Sequence, residues 1–125
     1  AETANHLANH GKSVTLVEML PDIATEIQNI NRGALLQDLE KGKVRILVDT
    51  TVKEVLTDGV LVIKGCDTES IGADTVVVAS GSRSDGGLED MLAGKAYKLV
   101  SIGDAVKVGK VVDAIEAGYL AGMNA

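Results

Sequence analysis

The chain has no tryptophan, no phenylalanine and only two tyrosines, Tyr97 and Tyr119, in 125 residues. A core so poor in rings has to be filled by Val, Ile, Leu and Ala, the composition of parallel strands buried on both faces. Proline occurs once, at Pro21, against fourteen glycines. That balance points to tight turns and close backbone approaches, not to disorder. Cys66 is the only cysteine, which excludes an internal disulfide, a paired-cysteine redox motif and a four-cysteine cluster site within these residues. A lone thiol in the turn Gly65-Cys66-Asp67 reads as inert and fits a reducing, cytoplasmic setting. Positive charge is also scarce. A net charge of −6 provides no basic surface for a phosphate backbone, so no nucleic-acid partner is expected. No apolar run reaches the roughly 18 residues of a membrane span, so no membrane partner is expected either. No acid–base constellation stands out, and no catalytic residue is assigned. His6 and His10 lie four apart, a spacing that can hold zinc. No third ligand is in view, Asn5 and Asn9 flank them as ordinary surface residues, and no metal is assigned.

What is present is organised around Ser13–Glu18, a short β-branched run that ends on a carboxylate. Before it lies a helical pattern, Glu2–His10, with small residues Ala1, Ala4 and Ala8 and Leu7 on one stripe, closed by Gly11. Helix, turn, strand and acid is the order found in a dinucleotide-binding βαβ unit. There the acid accepts hydrogen bonds from the adenosine ribose and its charge repels the 2′-phosphate of NADP. Glu18 is therefore the candidate for cofactor choice, with a solvated strand end as the alternative. The Gly-x-Gly-x-x-Gly turn of such a unit precedes the acid by about 20 residues. Counting back places it ahead of residue 1, so the sequence reads as a piece of a longer protein.

Pro21-Asp22 predicts a helix start, followed by Ile23, Ile27 and Ile30, a break near Asn31-Arg32-Gly33, and a second piece to Lys41 with Leu35, Leu36 and Leu39 inward. Val44–Val48 reads as a strand parallel to the one ending at Glu18. Val52–Leu56, Val60–Lys64 and a run near Glu69–Ile71 predict an antiparallel meander, with Asp58-Gly59 as the hairpin signal. Thr75–Ala79 and Leu99–Ile102 read as further buried strands, and Val111–Met123 as a helix on which Ala114, Gly118 and Gly122 leave room for a close neighbour. Residues 84–97 are Gly-rich and polar around Leu88–Leu92. The expected fold class is α/β: a Rossmann-like three-layer dinucleotide-binding domain with an antiparallel β-meander, its first strand and Gly-rich turn missing.

At these residues the chain resembles a known family. Glu2-Thr3-Ala4, Gly11–Pro21, Gly103-Asp104-Ala105 and Lys107–Tyr119 are similar to the C-terminal nucleotide-binding region of the NADH:flavin oxidoreductases related to 2-enoate reductase, 2,4-dienoyl-CoA reductase and trimethylamine dehydrogenase. Ser80-Gly81 resembles the Thr-Gly pair usual in two-dinucleotide-domain flavoproteins. Ser80, Ser84 and Val108 depart from that pattern, where Thr, Pro and Pro are common. The resemblance implies an NAD(H)-binding domain over 1–83, a linker over 84–96, and the last strand and helix of an FAD-binding domain over 97–125. It implies cofactor contacts at Glu18, Met19, Gly81, Gly103, Asp104 and Val111. Without it, Asp104 reads as a turn or helix cap. The parent enzyme is expected to pass electrons from NADH through FAD, with FMN and an iron–sulfur cluster outside this chain. The remainder of that flavoenzyme is the expected partner, and the isolated 125 residues are expected to be inactive.

The strand missing from this architecture would lie between those ending at Glu18 and Ala79. Leu99–Ile102, followed by Gly103 and a helix, has the grammar of the missing piece and is expected to fill its slot, from the same chain or a second copy. The alternative is a homodimer paired through open strand edges.

Overall fold

The computed structural model describes residues 1–95 and 98–124. The chain divides into two compact units, Ala1–Val77 and Val78–Ala125.

The first unit opens with α1 (Glu2–Asn9), whose end is set by backbone chemistry. Gly11 adopts φ +75°, its N–H donates to Ala8 and the Lys12 N–H reaches back to Leu7, so the last carbonyls are satisfied by a Schellman turn. Strand β1 (Thr15–Val17) follows and pairs in parallel with β2 (Arg45–Leu47), in the register Thr15 to Arg45 and Val17 to Leu47. Between them runs α2 (Asn29–Lys41). Gly42 ends this helix where a Cβ would stand 2.9 Å from the Ala8 Cβ, so glycine lets α1 and α2 approach each other. The meander is β3 (Thr51–Leu56), β4 (Gly59–Lys64) and β5 (Asp67–Gly72), all antiparallel, with a bulge between Val52 and Glu54. At Gly59 a Cβ would fall 2.0 Å from the Ile71 carbonyl oxygen, which is why this turn needs glycine there.

Two small cores sit on opposite faces of the parallel pair. Ala4, Ile23 and Leu39 are buried on the helical side with Val14, Leu16, Leu35, Leu36, Val44 and Val48 against them. Val60, Val62 and Ile71 form the core on the meander side, with Val17 and Leu47. Leu16 and Val17 thus serve different cores, as the two-residue period of a strand requires. Helices, parallel strands and meander make the expected three-layer α/β arrangement.

Two expectations about elements are corrected. The helix predicted from Pro21 begins only at Asn29 and then runs unbroken through Gly33. Residues 21–27 form turns instead: the Asp22 carboxylate accepts the Ile23 N–H at 2.8 Å, Ala24 takes φ +54°, and Arg32 donates back to the Ile23 carbonyl at 3.0 Å. Ile23 is buried from this loop, whereas Ile30 stands 89 % exposed. Neither Thr75–Ala79 nor Leu99–Ile102 forms a strand, and β1 pairs with β2 alone among the described residues, so the strand expected at Leu99–Ile102 is not formed within this chain. A strand exists only through a ladder partner, and apolar composition does not supply one.

The second unit contains α3 (Gly87–Leu92), a 3₁₀ turn over Gly103–Ala105 and α4 (Val111–Met123). None of its described residues is buried. Ala96, Tyr97 and Ala125 lie outside the described residues, and with them the expected boundary between linker and last strand.

Candidate nucleotide-binding sites

Glu18 follows the last residue of β1, at the carboxyl end of the parallel pair, where open α/β sheets bind their ligands. Its backbone continues the ladder: the Glu18 N–H donates to the Leu47 carbonyl at 2.8 Å and its carbonyl accepts from Thr50 N–H at 3.0 Å. Its Oε1 accepts the Leu20 N–H at 2.9 Å. Among the described residues Oε2 accepts no hydrogen bond, so one carboxylate oxygen of half-buried Glu18 is fixed and the other is unpaired. Met19, next along, is 68 % exposed. Gly81 lies in the second unit in an exposed, irregular stretch, at φ +83°.

In the second unit the structure brings Gly103 and Asp104 together with the start of α4 around a cleft of about 350 Å³. Gly103 turns the chain at φ +61°. Asp104 Oδ1 accepts the Gly109 N–H at 3.2 Å, closing the loop beneath the cleft. This is the cap that Asp104 resembles when read without its relatives. Val111, the first residue of α4, is exposed. Asp113 was not legible as a site residue, yet its carboxylate also lines the cleft and accepts the Lys110 N–H at 2.6 Å. The signal for it is an acid three residues after the N-cap, the spacing of a capping box. A Cβ at Gly109 would stand 2.8 Å from Asp113 Oδ2, so a side chain there would push the Asp113 carboxylate aside. Two carboxylates and the N-terminal amides of a helix suit a ligand that offers both hydroxyl donors and anionic oxygens.

His6 and His10 stack with ring centroids 4.3 Å apart, and the His10 Nδ1 lies 2.8 Å from the His6 carbonyl oxygen, so the pair closes the end of α1. No group of three or more metal-binding side chains is found among the described residues.

A helix-covered parallel strand pair with an acid at its carboxyl end, backed by a meander, defines an α/β dinucleotide-binding domain. The comparison with known proteins makes this specific. Residues 1–97 match the pyridine nucleotide-disulphide oxidoreductase model, and the chain belongs to that family. It is 42 % identical over 108 residues to a metal reductase of Desulforamulus reducens, covering 86 % of this chain and 16 % of that protein. To an NADH oxidase of Thermoanaerobacter brockii it is 38 % identical over 120 residues, 94 % of this chain and 18 % of the relative. Among solved structures, 2-naphthoyl-CoA reductase in complex with 2-naphthoyl-CoA superposes with a TM-score of 0.81 at 31 % identity. That match covers 98 % of this chain and 19 % of the other. The 6-hydroxypseudooxynicotine amine oxidase of Pseudomonas geniculata N1 superposes with a TM-score of 0.82 at 25 % identity, over 96 % of this chain and 19 % of that one. The chain thus spans less than a fifth of the length of these relatives. The expected kinship with flavoprotein reductases holds.

Proposed function

We propose that this chain is the nucleotide-handling part of an NADH-dependent flavin oxidoreductase of the 2-enoate and dienoyl-CoA reductase kind. The observation that carries the reading is the Glu18 carboxylate at the end of β1, one oxygen pinned by Leu20 N–H and the other open. An open carboxylate oxygen accepts a ribose hydroxyl, and its charge disfavours a 2′-phosphate. No arginine follows immediately to reverse that preference. Residues 1–83 are assigned to NADH binding through Glu18, Met19 and Gly81, residues 84–96 to a linker, and residues 97–125 to an FAD domain through Gly103, Asp104 and Val111. The Asp104 carboxylate and the first turn of α4 fit the hydroxyl and phosphate portions of a flavin nucleotide. FAD, when bound, accepts the hydride of NADH and passes on the electrons. FMN and an iron–sulfur cluster belong to the rest of the enzyme, which is this chain's partner in the cytoplasm.

The test is steady-state kinetics of the full-length enzyme with both cofactors. NADH is expected to be preferred, and Glu18→Ala to weaken its use by roughly 1.5–3 kcal/mol, the range for a lost hydrogen bond to a charged group. Equal kcat/KM for NADH and NADPH in the wild type overturns the reading. The isolated chain is expected to be inactive and to bind NADH poorly. Calorimetric titration that finds micromolar binding contradicts this.

A further inference from the structure

The turn carrying Glu18 is held from the neighbouring strand. Glu18 N–H donates to the Leu47 carbonyl, Thr50 N–H to the Glu18 carbonyl at 3.0 Å, and Asp49 N–H to the Leu20 carbonyl at 3.0 Å. Leu20 then donates its own N–H to Glu18 Oε1, so the carboxylate rotamer depends on where residue 20 is placed. Two consecutive amides, those of Asp49 and Thr50, face the same short turn because Asp49 adopts φ +51°. That left-handed conformation is costly for most side chains and tolerated by Asp, Asn and Gly. Thr50 anchors the arrangement: it is 2 % exposed and its hydroxyl donates to the Val48 carbonyl at 2.8 Å.

We propose that Asp49 is a positioning residue for cofactor choice. Its left-handed backbone, anchored by buried Thr50, holds the Glu18 carboxylate where it meets an adenosine ribose and repels a 2′-phosphate. The role belongs to the backbone conformation and not to the Asp49 charge. This inference rests on the reading of Glu18 given above.

The test compares kcat/KM for NADH and NADPH in the full-length enzyme. Asp49→Asn and Asp49→Gly accept the same backbone and should keep the wild-type cofactor ratio within about two-fold. Asp49→Val, whose branched side chain disfavours positive φ, should lower the ratio by roughly ten-fold, mainly through KM for NADH. In a Glu18→Gln background the same substitution should add no further change, because Asp49 acts through Glu18. Should Asp49→Val fail to fold, as judged by thermal melting, Asp49→Ala poses a milder form of the same conflict and should lower the ratio in the same direction. The inference is overturned if Glu18→Gln lowers the ratio while the Val and Ala variants do not, if Asp49→Asn lowers it, or if the effects of Glu18→Gln and Asp49→Val simply add. If Glu18→Gln itself leaves the ratio unchanged, the reading of Glu18 falls.

Discussion

Residues Ala1–Val77 gather their apolar side chains into two cores, whereas in Val78–Ala125 Leu88, Met91, Val111, Val112, Ile115 and Tyr119 remain exposed. The same kinds of side chain are present in both stretches, but among the described residues only the first has sheets to pack them against. A helix satisfies its own backbone, so α4 forms in the second unit with only Ala117, Gly118 and Ala121 half-buried and no residue fully buried. A strand cannot do this, and the apolar runs Thr75–Ala79 and Leu99–Ile102 carry no ladder. Exposed apolar surface on this scale is the kind that marks interaction faces.

The contrast can be broken most directly at Leu39, which is 0 % exposed. Leu39→Ala should cost about 2–5 kcal/mol of the first unit's stability in urea unfolding, the range for a buried leucine. Ile115→Ala on α4 should change stability by no more than about 0.5 kcal/mol, as at other exposed sites. An equal loss at both positions would show that α4 is packed in solution.

Glycine replacements sharpen the contrast because the same change should act with opposite sign. Gly59→Ala forces a Cβ onto the Ile71 carbonyl and should destabilise the meander by roughly 1–3 kcal/mol. At Gly118 a Cβ would meet only Ile102 Cδ1, at 4.0 Å. Gly118→Ala should therefore stabilise α4 by up to about 1 kcal/mol in the isolated chain, read as a gain in helical circular dichroism. Hydrogen exchange should show the same division, with β4 amides protected and α4 amides exchanging early, since a 13-residue helix with no fully buried residue is marginal. Uniform protection across both units would remove the distinction. The smallest effect is expected at the Arg45–Glu69 ion pair, 2.9 Å apart and about half exposed. A double-mutant cycle there should return roughly 0.2–1 kcal/mol, falling with added salt.

The elements legible in the sequence were those whose partners lie close along the chain. The meander was written in Asp58-Gly59 and the short β-leaning runs beside it, the end of α1 in Gly11, and α4 in its own periodicity. Glu18 could be singled out because strand followed by acid is a local signal. The start of α2 could not be read, since Pro21-Asp22 is as good a turn as a helix start. The Asp22 carboxylate on Ile23 N–H and the side chain of Arg32, reaching back to Ile23, hold the turn. Asp49 gave no sign of its role either, because its left-handed backbone has meaning only when residues 18–20 lie against it.

By itself, then, the sequence determined the local units of this protein: the hairpins of the meander and the helix ends. Their backbone bonds close within a few residues and the choice of side chain decides them. The tertiary structure decided what depends on distant partners: which apolar runs become strands, which face of β1 serves which core, and how the Glu18 carboxylate is held. A ladder or a clamp needs two segments brought together, and the composition of one segment does not state where the other will be.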